Sequence, residues 1–192
     1  MTLIQANSFL IYPAEILIRK LTFAIQAIDS YTGKNALYPL NISISINHIR
    51  AYKNQSGYFI FTDLKEGIYS LLIESDFFFP VTKQIDTSYL DPKNPLIIIQ
   101  LIPKPSYQFP ENTTLVRGIL YSVSGPVENA SIKAHDRPFQ TFSDERGEFA
   151  IFFNKIRQEN IQLNIEKNSD TKIVDVEIKE GKTIYIGKIS FP

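Results

Sequence analysis

The sequence predicts an all-β protein made of two consecutive β-sandwich domains, and three observations lead to this class. Several short segments alternate between apolar and polar residues, which is the pattern of strands that are covered on one face. Phe and Tyr supply the whole aromatic content of 12%, and Ile is abundant, which favours pleated strands over helices. Landmarks of the first half recur in order in the second half, which indicates two copies of one fold.

In the first half, alternation gives the clearest strand at residues 21–29, whose predicted inner face carries Leu21, Phe23, Ile25 and Ala27. A turn at Gly33 follows, and a second turn at Gly57 leads into another strand. The predicted strands of this half cover residues 21–29, 42–46, 58–61, 69–73 and 96–101.

The second half repeats these steps at a nearly constant offset. Its predicted strands cover residues 116–121, 130–134, 149–153, 161–165, 173–178 and 183–190. Three landmarks in the same order support a true repeat rather than a chance match. They are Gly33 and Gly125 at 92 residues apart, Gly57 and Gly147 at 90, and Tyr69 and Ile161 at 92.

A proline-rich stretch separates the two halves. Pro103, Pro105 and Pro110 lie within eight residues, and proline cannot donate to a β-ladder, so an extended, semi-rigid linker is expected there. Pro13 and β-branched neighbours likewise favour an extended arm over a helix at the start of the chain. The predicted units are an arm (1–19), a first sandwich (20–102), a linker (103–112) and a second sandwich (113–192).

Composition excludes several classes of function. Twenty basic and twenty acidic side chains give a net charge of zero, without the basic excess that nucleic acid or an anionic membrane would attract. The absence of cysteine removes disulfides, thiolate nucleophiles and cysteine-based metal sites, and we expect no cofactor. No segment reaches the apolar length that a membrane-spanning helix needs, and the first residues lack the basic start of a secretory signal. We therefore expect no membrane insertion and a cytoplasmic location.

The second half resembles a carboxypeptidase regulatory-like domain. The resemblance rests on residues 116–120 (Val-Arg-Gly-Ile-Leu), 125–132 (Gly-Pro-Val-Glu-Asn-Ala-Ser-Ile) and 141–149 (Thr-Phe-Ser-Asp-Glu-Arg-Gly-Glu-Phe). The first half is similar but departs from the pattern at residues 34–54. This family is a transthyretin-like (prealbumin-like) sandwich of the immunoglobulin-like kind. The resemblance implies that fold and an accessory role, such as packing beside other domains, binding glycans or acting as a spacer.

Residues with catalytic or metal-binding chemistry are few. His48 and His135 are the only histidines, one in each half, and surface or strand-end positions are expected for both. Asp144 and Glu145, with Asp136 upstream, offer oxygen ligands for calcium. The same residues beside Gly147 fit a turn in which Asp bonds the local backbone, and we prefer that interpretation.

Two apolar segments are candidate partner contacts. Phe77, Phe78 and Phe79 cannot all point inward from one strand, so they either cap the end of the first sandwich or anchor a partner. The arm either lies across its own sandwich or adds a strand to a neighbour's sheet edge. Its candidate contact residues are Phe9, Leu10, Ile11, Ile16, Leu17 and Ile18.

These features predict a non-enzymatic structural or interaction protein whose partners are other protein subunits of a larger assembly. A component of a phage-like or contractile-injection particle is one such assembly. The alternative is a carbohydrate-binding module that stacks sugars on exposed aromatic faces, with Tyr58, Tyr121 and Phe78 as candidates. An enzyme is disfavoured, because no group of polar residues is predicted to converge in a pocket.

Overall fold

The computed structural model describes residues 18–45 and 48–192 and has an all-β architecture of two tandem sandwiches. No α-helix occurs in these residues, and a short 3₁₀ helix covers Thr87–Tyr89. Each sandwich consists of two facing sheets. The strands are β1 (Leu21–Asp29), β2 (Asn41–Ile44), β3 (Ile49–Arg50), β4 (Tyr52–Lys53), β5 (Phe59–Thr62), β6 (Ile68–Glu74), β7 (Val81–Asp86), β8 (Leu96–Leu101), β9 (Thr114–Ser122), β10 (Gly125–Pro126), β11 (Ser131–Ala134), β12 (Gln140–Phe142), β13 (Glu148–Phe153), β14 (Gln158–Lys167), β15 (Asp170–Lys179) and β16 (Thr183–Ser190).

The first sandwich packs a sheet of order β4-β5-β1-β8 against a sheet of order β3-β2-β6-β7. Strand β1 pairs antiparallel with β5 and parallel with β8. The alternation in β1 sends Phe23 and Ile25 between the sheets, where both are fully buried, while Leu21 at its start is half exposed. Phe61 of β5 packs beside Phe23 with a ring-centroid distance of 4.8 Å. Large aromatic and branched side chains therefore fill this core.

The second sandwich has the same plan. Strand β9 pairs antiparallel with β13 and parallel with β16, while the short β10 pairs with the end of β9. The facing sheet has the order β12-β11-β14-β15, which matches β3-β2-β6-β7 of the first sandwich. A separate core contains Val116, Leu120 and Phe149 among its buried residues. The shared strand order confirms the repeat that the spacing of the landmarks predicted.

Gly33, Gly57 and Gly147 of the repeat lie in turns or bends, and Gly125 begins the short β10 directly after a turn. Gly33, Gly57, Gly125 and Gly147 all have positive φ angles, at 67°, 86°, 123° and 73°. These values lie in the region that favours glycine over residues with a Cβ atom. Turn geometry therefore explains why glycine recurs at these positions.

Most predicted strands agree with the structure, and three have the predicted bounds: β1, β8 and β16. The sequence pattern missed β7, because Val81 and Ile85 are its only apolar residues. It forms the edge of its sheet, where most side chains face solvent and alternation is weak. Strand β2 ends at Ile44, whereas the predicted strand covers residues 42–46. Residue 46 lies outside the described ranges.

Candidate functional site at the joint between the sandwiches

Asp29, at the end of β1, organises the turn that contacts the second sandwich. Its side chain is almost fully buried at 3% exposure. One carboxylate oxygen accepts a hydrogen bond from the Tyr31 amide at 2.8 Å. The other accepts from the Thr32 hydroxyl at 3.1 Å and from the Tyr107 hydroxyl at 2.7 Å. A single buried carboxylate thus fixes both the turn and a residue of the proline-rich stretch, since buried charges require such hydrogen bonds.

Tyr107 shows that the first part of the proline-rich stretch packs onto the first sandwich. It is 7% exposed and lies against Tyr38 and Phe78, with ring-centroid distances of 5.0 and 5.6 Å. Burial, followed by the hydrogen bond to Asp29, raises the pKa of Tyr107 well above its ordinary value. Pro103 also forms a β-bridge with Phe78. Residues 103–107 are thus packed against the first sandwich.

Tyr31 spans the two sandwiches. Its hydroxyl lies 2.8 Å from the hydroxyl of Thr113, which immediately precedes β9. Its ring meets Phe152 of β13 edge-on, with a centroid distance of 5.3 Å and an interplanar angle of 80°. Phe109 completes the group, at 5.2 Å from the Tyr31 ring and 6.3 Å from the Phe152 ring. Edge-to-face pairs of this kind each stabilise an interface by about 0.5–1.5 kcal/mol beyond their buried area.

Arg117 of β9 ties the second sandwich to the same stretch. Its guanidinium donates a hydrogen bond to the Pro105 carbonyl at 2.9 Å and lies 5.9 Å from the centre of the Phe109 ring. Burial lowers the pKa of Arg117, and the negative charge of Glu148 partly opposes that shift. Arginine stays charged after such a shift, so the guanidinium acts as a fixed donor at this position.

A second contact lies apart from the Tyr31 group. Phe79 meets Phe142 of β12 edge-on, with a centroid distance of 5.6 Å. Phe79 is only 8% exposed, although it belongs to neither of the two cores. The sandwiches therefore touch at two points, and two points resist a hinge motion that one point would permit. We call the residues of both contacts the joint: Asp29, Tyr31, Phe79, Tyr107, Phe109, Thr113, Arg117, Phe142 and Phe152.

The structure buries two of the three phenylalanines that were candidate partner contacts. Phe78 is 1% exposed inside the first core, and Phe79 is buried in the joint. Phe77 is partly buried and stacks on Tyr38 with a centroid distance of 4.2 Å. The idea that Phe78 and Phe79 anchor a partner therefore needs correction, because their rings are already covered within the chain. Their placement fits the capping alternative.

The other candidate contacts belong to the arm. Ile18 is strongly exposed, at 84% of its surface. The remaining arm candidates lie outside the described residues: Phe9, Leu10, Ile11, Ile16 and Leu17.

For the glycan alternative, Phe78 is unsuitable because it is buried, whereas Tyr121 is 43% exposed beside the Lys188 ammonium. Tyr58 is partly buried.

Asp144 has the predicted turn role. Its carboxylate accepts hydrogen bonds from the backbone amides of Arg146 at 3.0 Å and Glu148 at 2.9 Å, and it is 7% exposed. Its main-chain oxygen accepts from the Gly147 amide at 2.9 Å. These local bonds satisfy the carboxylate without an ion, which explains the residue type through turn geometry.

The two histidines lie at the surface or near a strand end. His135 directly follows β11, and its ring lies 3.2 Å from the exposed Asp136 carboxylate. His48 directly precedes β3 and is exposed. Within residues 18–45 and 48–192, no group of three or more His, Asp or Glu side chains is arranged to hold a metal ion. In the same ranges, no helix has the length and apolar character needed to cross a bilayer.

Sequence reasoning identified the aromatic run at residues 77–79 but missed most of the joint. Tyr107 and Phe109 stand in the stretch whose prolines predict a linker. Two aromatic side chains in a short spacer were an available signal, since a solvated linker has no use for large apolar rings. The role of Asp29 carried no such signal, because Asp is common in turns and its burial depends on distant residues.

No protein-family model matches the sequence, and a search of curated proteins gives no match. The resemblance to carboxypeptidase regulatory-like domains therefore stays a prediction. Among solved structures, the Bacillus anthracis TIE protein is similar at 12% identity and a TM-score of 0.33, over 90% of this chain and 34% of that chain. GBS52, the minor pilin of Streptococcus agalactiae, is similar at 11% identity and a TM-score of 0.32, over 88% of this chain and 94% of that one. A streptococcal ancillary pilin is similar at 10% identity and a TM-score of 0.34, over 88% of this chain and 68% of that chain. Similarities this weak carry no argument about fold or function.

Proposed function

We propose that this chain is a non-enzymatic structural subunit whose two sandwiches form one rigid unit and set a fixed spacing between its contacts with other proteins. The observation that carries the proposal is the two-point joint, in which Tyr31 bridges to Thr113 and Phe79 packs on Phe142. A flexible tandem pair would not need a cluster of aromatic rings between its domains.

The energetics of the joint support a fixed orientation. Hydrogen bonds across the joint link the Tyr31 and Thr113 hydroxyls, and the Arg117 guanidinium to the Pro105 carbonyl; a hydrogen bond made by a charged group contributes about 1.5–3 kcal/mol. Aromatic pairs add to this, and several of them link Tyr31, Phe109 and Phe152. Opening the joint would break these contacts together and expose the rings to water. The closed arrangement is therefore strongly favoured over a hinged one.

The partners in this proposal are other protein subunits. Membership in a phage-like or contractile-injection particle assembled in the cytoplasm is the most specific form of the hypothesis. The neutral net charge of the chain leaves little electrostatic repulsion against association, which is compatible with a subunit of an assembly.

Co-purification with a joint variant tests the proposal. The Tyr31→Ala, Phe109→Ala double variant should loosen the orientation while each sandwich stays folded, because both side chains lie between the cores rather than at their centres. A matched control is Tyr89→Ala, which removes an exposed tyrosine of the 3₁₀ helix. Affinity-tagged chains are recovered from host cells, and co-purifying proteins are quantified by mass spectrometry.

We expect the wild type and the Tyr89 variant to recover the same proteins and the joint variant to lose most of them. Circular dichroism must show equal strand content for all three chains. Equal recovery by the joint variant would contradict the proposal, and so would a wild-type chain that recovers no protein above background.

A further inference from the structure

Two equivalent sheets of the molecule end in a long strand whose outer edge is open. They are β3-β2-β6-β7 of the first sandwich and β12-β11-β14-β15 of the second. On one side each sheet ends in a strand of two or three residues, and on the other in β7 with six residues or β15 with ten. Within residues 18–45 and 48–192, no strand pairs with the outer side of β7 or β15. Such an edge offers unpaired backbone groups to a strand of another molecule, including a second copy of this chain.

Lys83 stands on the core-facing side of β7. It lies directly opposite Leu71 of β6, which is fully buried, and directly opposed residues share one side of a sheet. Val81 and Ile85, its neighbours on that side, both pack against the first core. The period of the strand therefore predicts an apolar residue at position 83. A lysine interrupts the row instead, and it is exposed.

Lys172 has the same placement in β15. It lies directly opposite Ile165 of β14, a fully buried residue of the second core. Val174 and Val176 continue the same side of the strand and pack against that core. Lys172 is exposed as well. Each sandwich thus carries a lysine on the core-facing side of its long edge strand.

The two lysines occupy different positions of the repeat. Lys83 lies opposite Leu71, which corresponds to Leu163 at the 92-residue spacing between β6 and β14. Leu163 lies opposite Val174 and not opposite Lys172. The lysines therefore share their placement at an edge without being equivalent residues of the two copies. A common requirement of the edges explains this better than descent from one ancestral lysine.

We propose that Lys83 and Lys172 prevent the edges of β7 and β15 from pairing with another copy of the chain. A strand added to either edge would enclose the lysine between strands on the side that faces the opposite sheet, and the ammonium would lose water. Burying a charge without a partner is strongly unfavourable, and core-facing charges on edge strands are a known protection against such pairing.

The surroundings of the lysines strengthen this effect. Among the described residues, neither ammonium forms a salt bridge with a carboxylate that could compensate for lost water. In a symmetric pair of β7 or β15 edges, each copy would also bring the same lysine, so that like charges would approach each other. The inference goes beyond the proposed function and does not depend on it, because it concerns contacts between copies of this chain alone.

Sedimentation velocity of the Lys83→Ile and Lys172→Ile variants, measured over a range of concentrations, tests this role. The matched control is Lys179→Ile, which removes the same charge from the outer face of β15, since the adjacent Ile178 points into the core. Lys83→Thr and Lys172→Thr are measured in parallel, so that a variant without a large apolar side chain is available if an isoleucine variant folds poorly. Circular dichroism and Tm establish that each variant keeps the fold.

We expect Lys83→Ile and Lys172→Ile each to self-associate at least about tenfold more tightly than the wild type, and the threonine variants to change in the same direction. Lys179→Ile should keep the wild-type value. Hydrogen exchange of the associated species should show new protection of the altered edge, in β7 for the first variant and in β15 for the second.

Two results would overturn the inference. One is self-association of the folded Lys83 and Lys172 variants that equals that of Lys179→Ile. The other is stronger association without new protection of β7 or β15, because the copies would then meet at a surface other than these edges.

Discussion

Replacing Tyr107 with Phe removes one hydroxyl and keeps the ring that packs against Tyr38 and Phe78. The lost hydrogen bond is short, at 2.7 Å, and ends on the buried carboxylate of Asp29. Hydrogen bonds to charged groups contribute about 1.5–3 kcal/mol, so we expect the Tyr107→Phe variant to lose about 2 kcal/mol of unfolding free energy. For a chain of this size, that loss corresponds to a Tm lower by about 4–8 °C.

Differential scanning calorimetry at neutral pH measures this loss, and Tyr69→Phe provides a matched control. The Tyr69 hydroxyl donates to the Lys65 carbonyl at the same distance of 2.7 Å, but in an exposed position where water can replace it. The control should therefore cost less than about 0.5 kcal/mol. Equal Tm values for the two variants would refute the idea that the Asp29–Tyr107 hydrogen bond stabilises the packing of the proline-rich stretch on the first sandwich.

Two further predictions follow from the geometry. Because the folded state raises the pKa of Tyr107, its stabilising contribution is complete below the ordinary tyrosine pKa near 10 and is lost as pH rises above it. Urea titrations between about pH 9 and 11 should show that the wild type loses unfolding free energy more steeply with pH than Tyr107→Phe does. The difference in slope should reach up to about 1.4 kcal/mol per pH unit. Equal slopes would contradict the raised pKa of Tyr107. Gly147→Ala should cost about 3 kcal/mol or more, because a Cβ atom there would lie 2.3 Å from the Leu120 carbonyl oxygen at a φ of +73°. As a control, the Cβ atom of Gly33→Ala would meet nothing within 4 Å at a φ of +67°, so this variant should lose only about 1–2 kcal/mol of unfolding free energy. If chemical denaturation gives equal losses for the two variants, the close approach to Leu120 is not what requires glycine at position 147.

Sequence patterns predicted the elements whose causes are local. Local patterns set the bounds of β1, β8 and β16: β1 alternates between a buried and an outer face, whereas β8 is a short run of apolar residues. The turn glycines were also found from local sequence, since Gly33 and Gly147 adopt positive φ angles that residues with a Cβ atom rarely adopt. The repeat followed from the recurrence of these local signals at constant spacing.

The joint could not be predicted in the same way, because its causes are distant in sequence. Tyr107 is 78 residues from Asp29, and Tyr31 is 82 residues from Thr113. An Asp in a turn is ordinary, and only its burial beneath Tyr107 makes it structural. The run at residues 77–79 illustrates the same limit, since three adjacent rings are divided between a core, a half-buried stack and the joint according to the packing of both sandwiches.

The relative motion of the two sandwiches decides whether the joint is rigid. Backbone ¹⁵N relaxation measured across both sandwiches reports whether they tumble together. A two-point joint predicts that amide vectors from β1 and β9, and from their neighbours, fit one rotational diffusion tensor of the size expected for the whole chain. Separate tensors with shorter correlation times for each sandwich would contradict it.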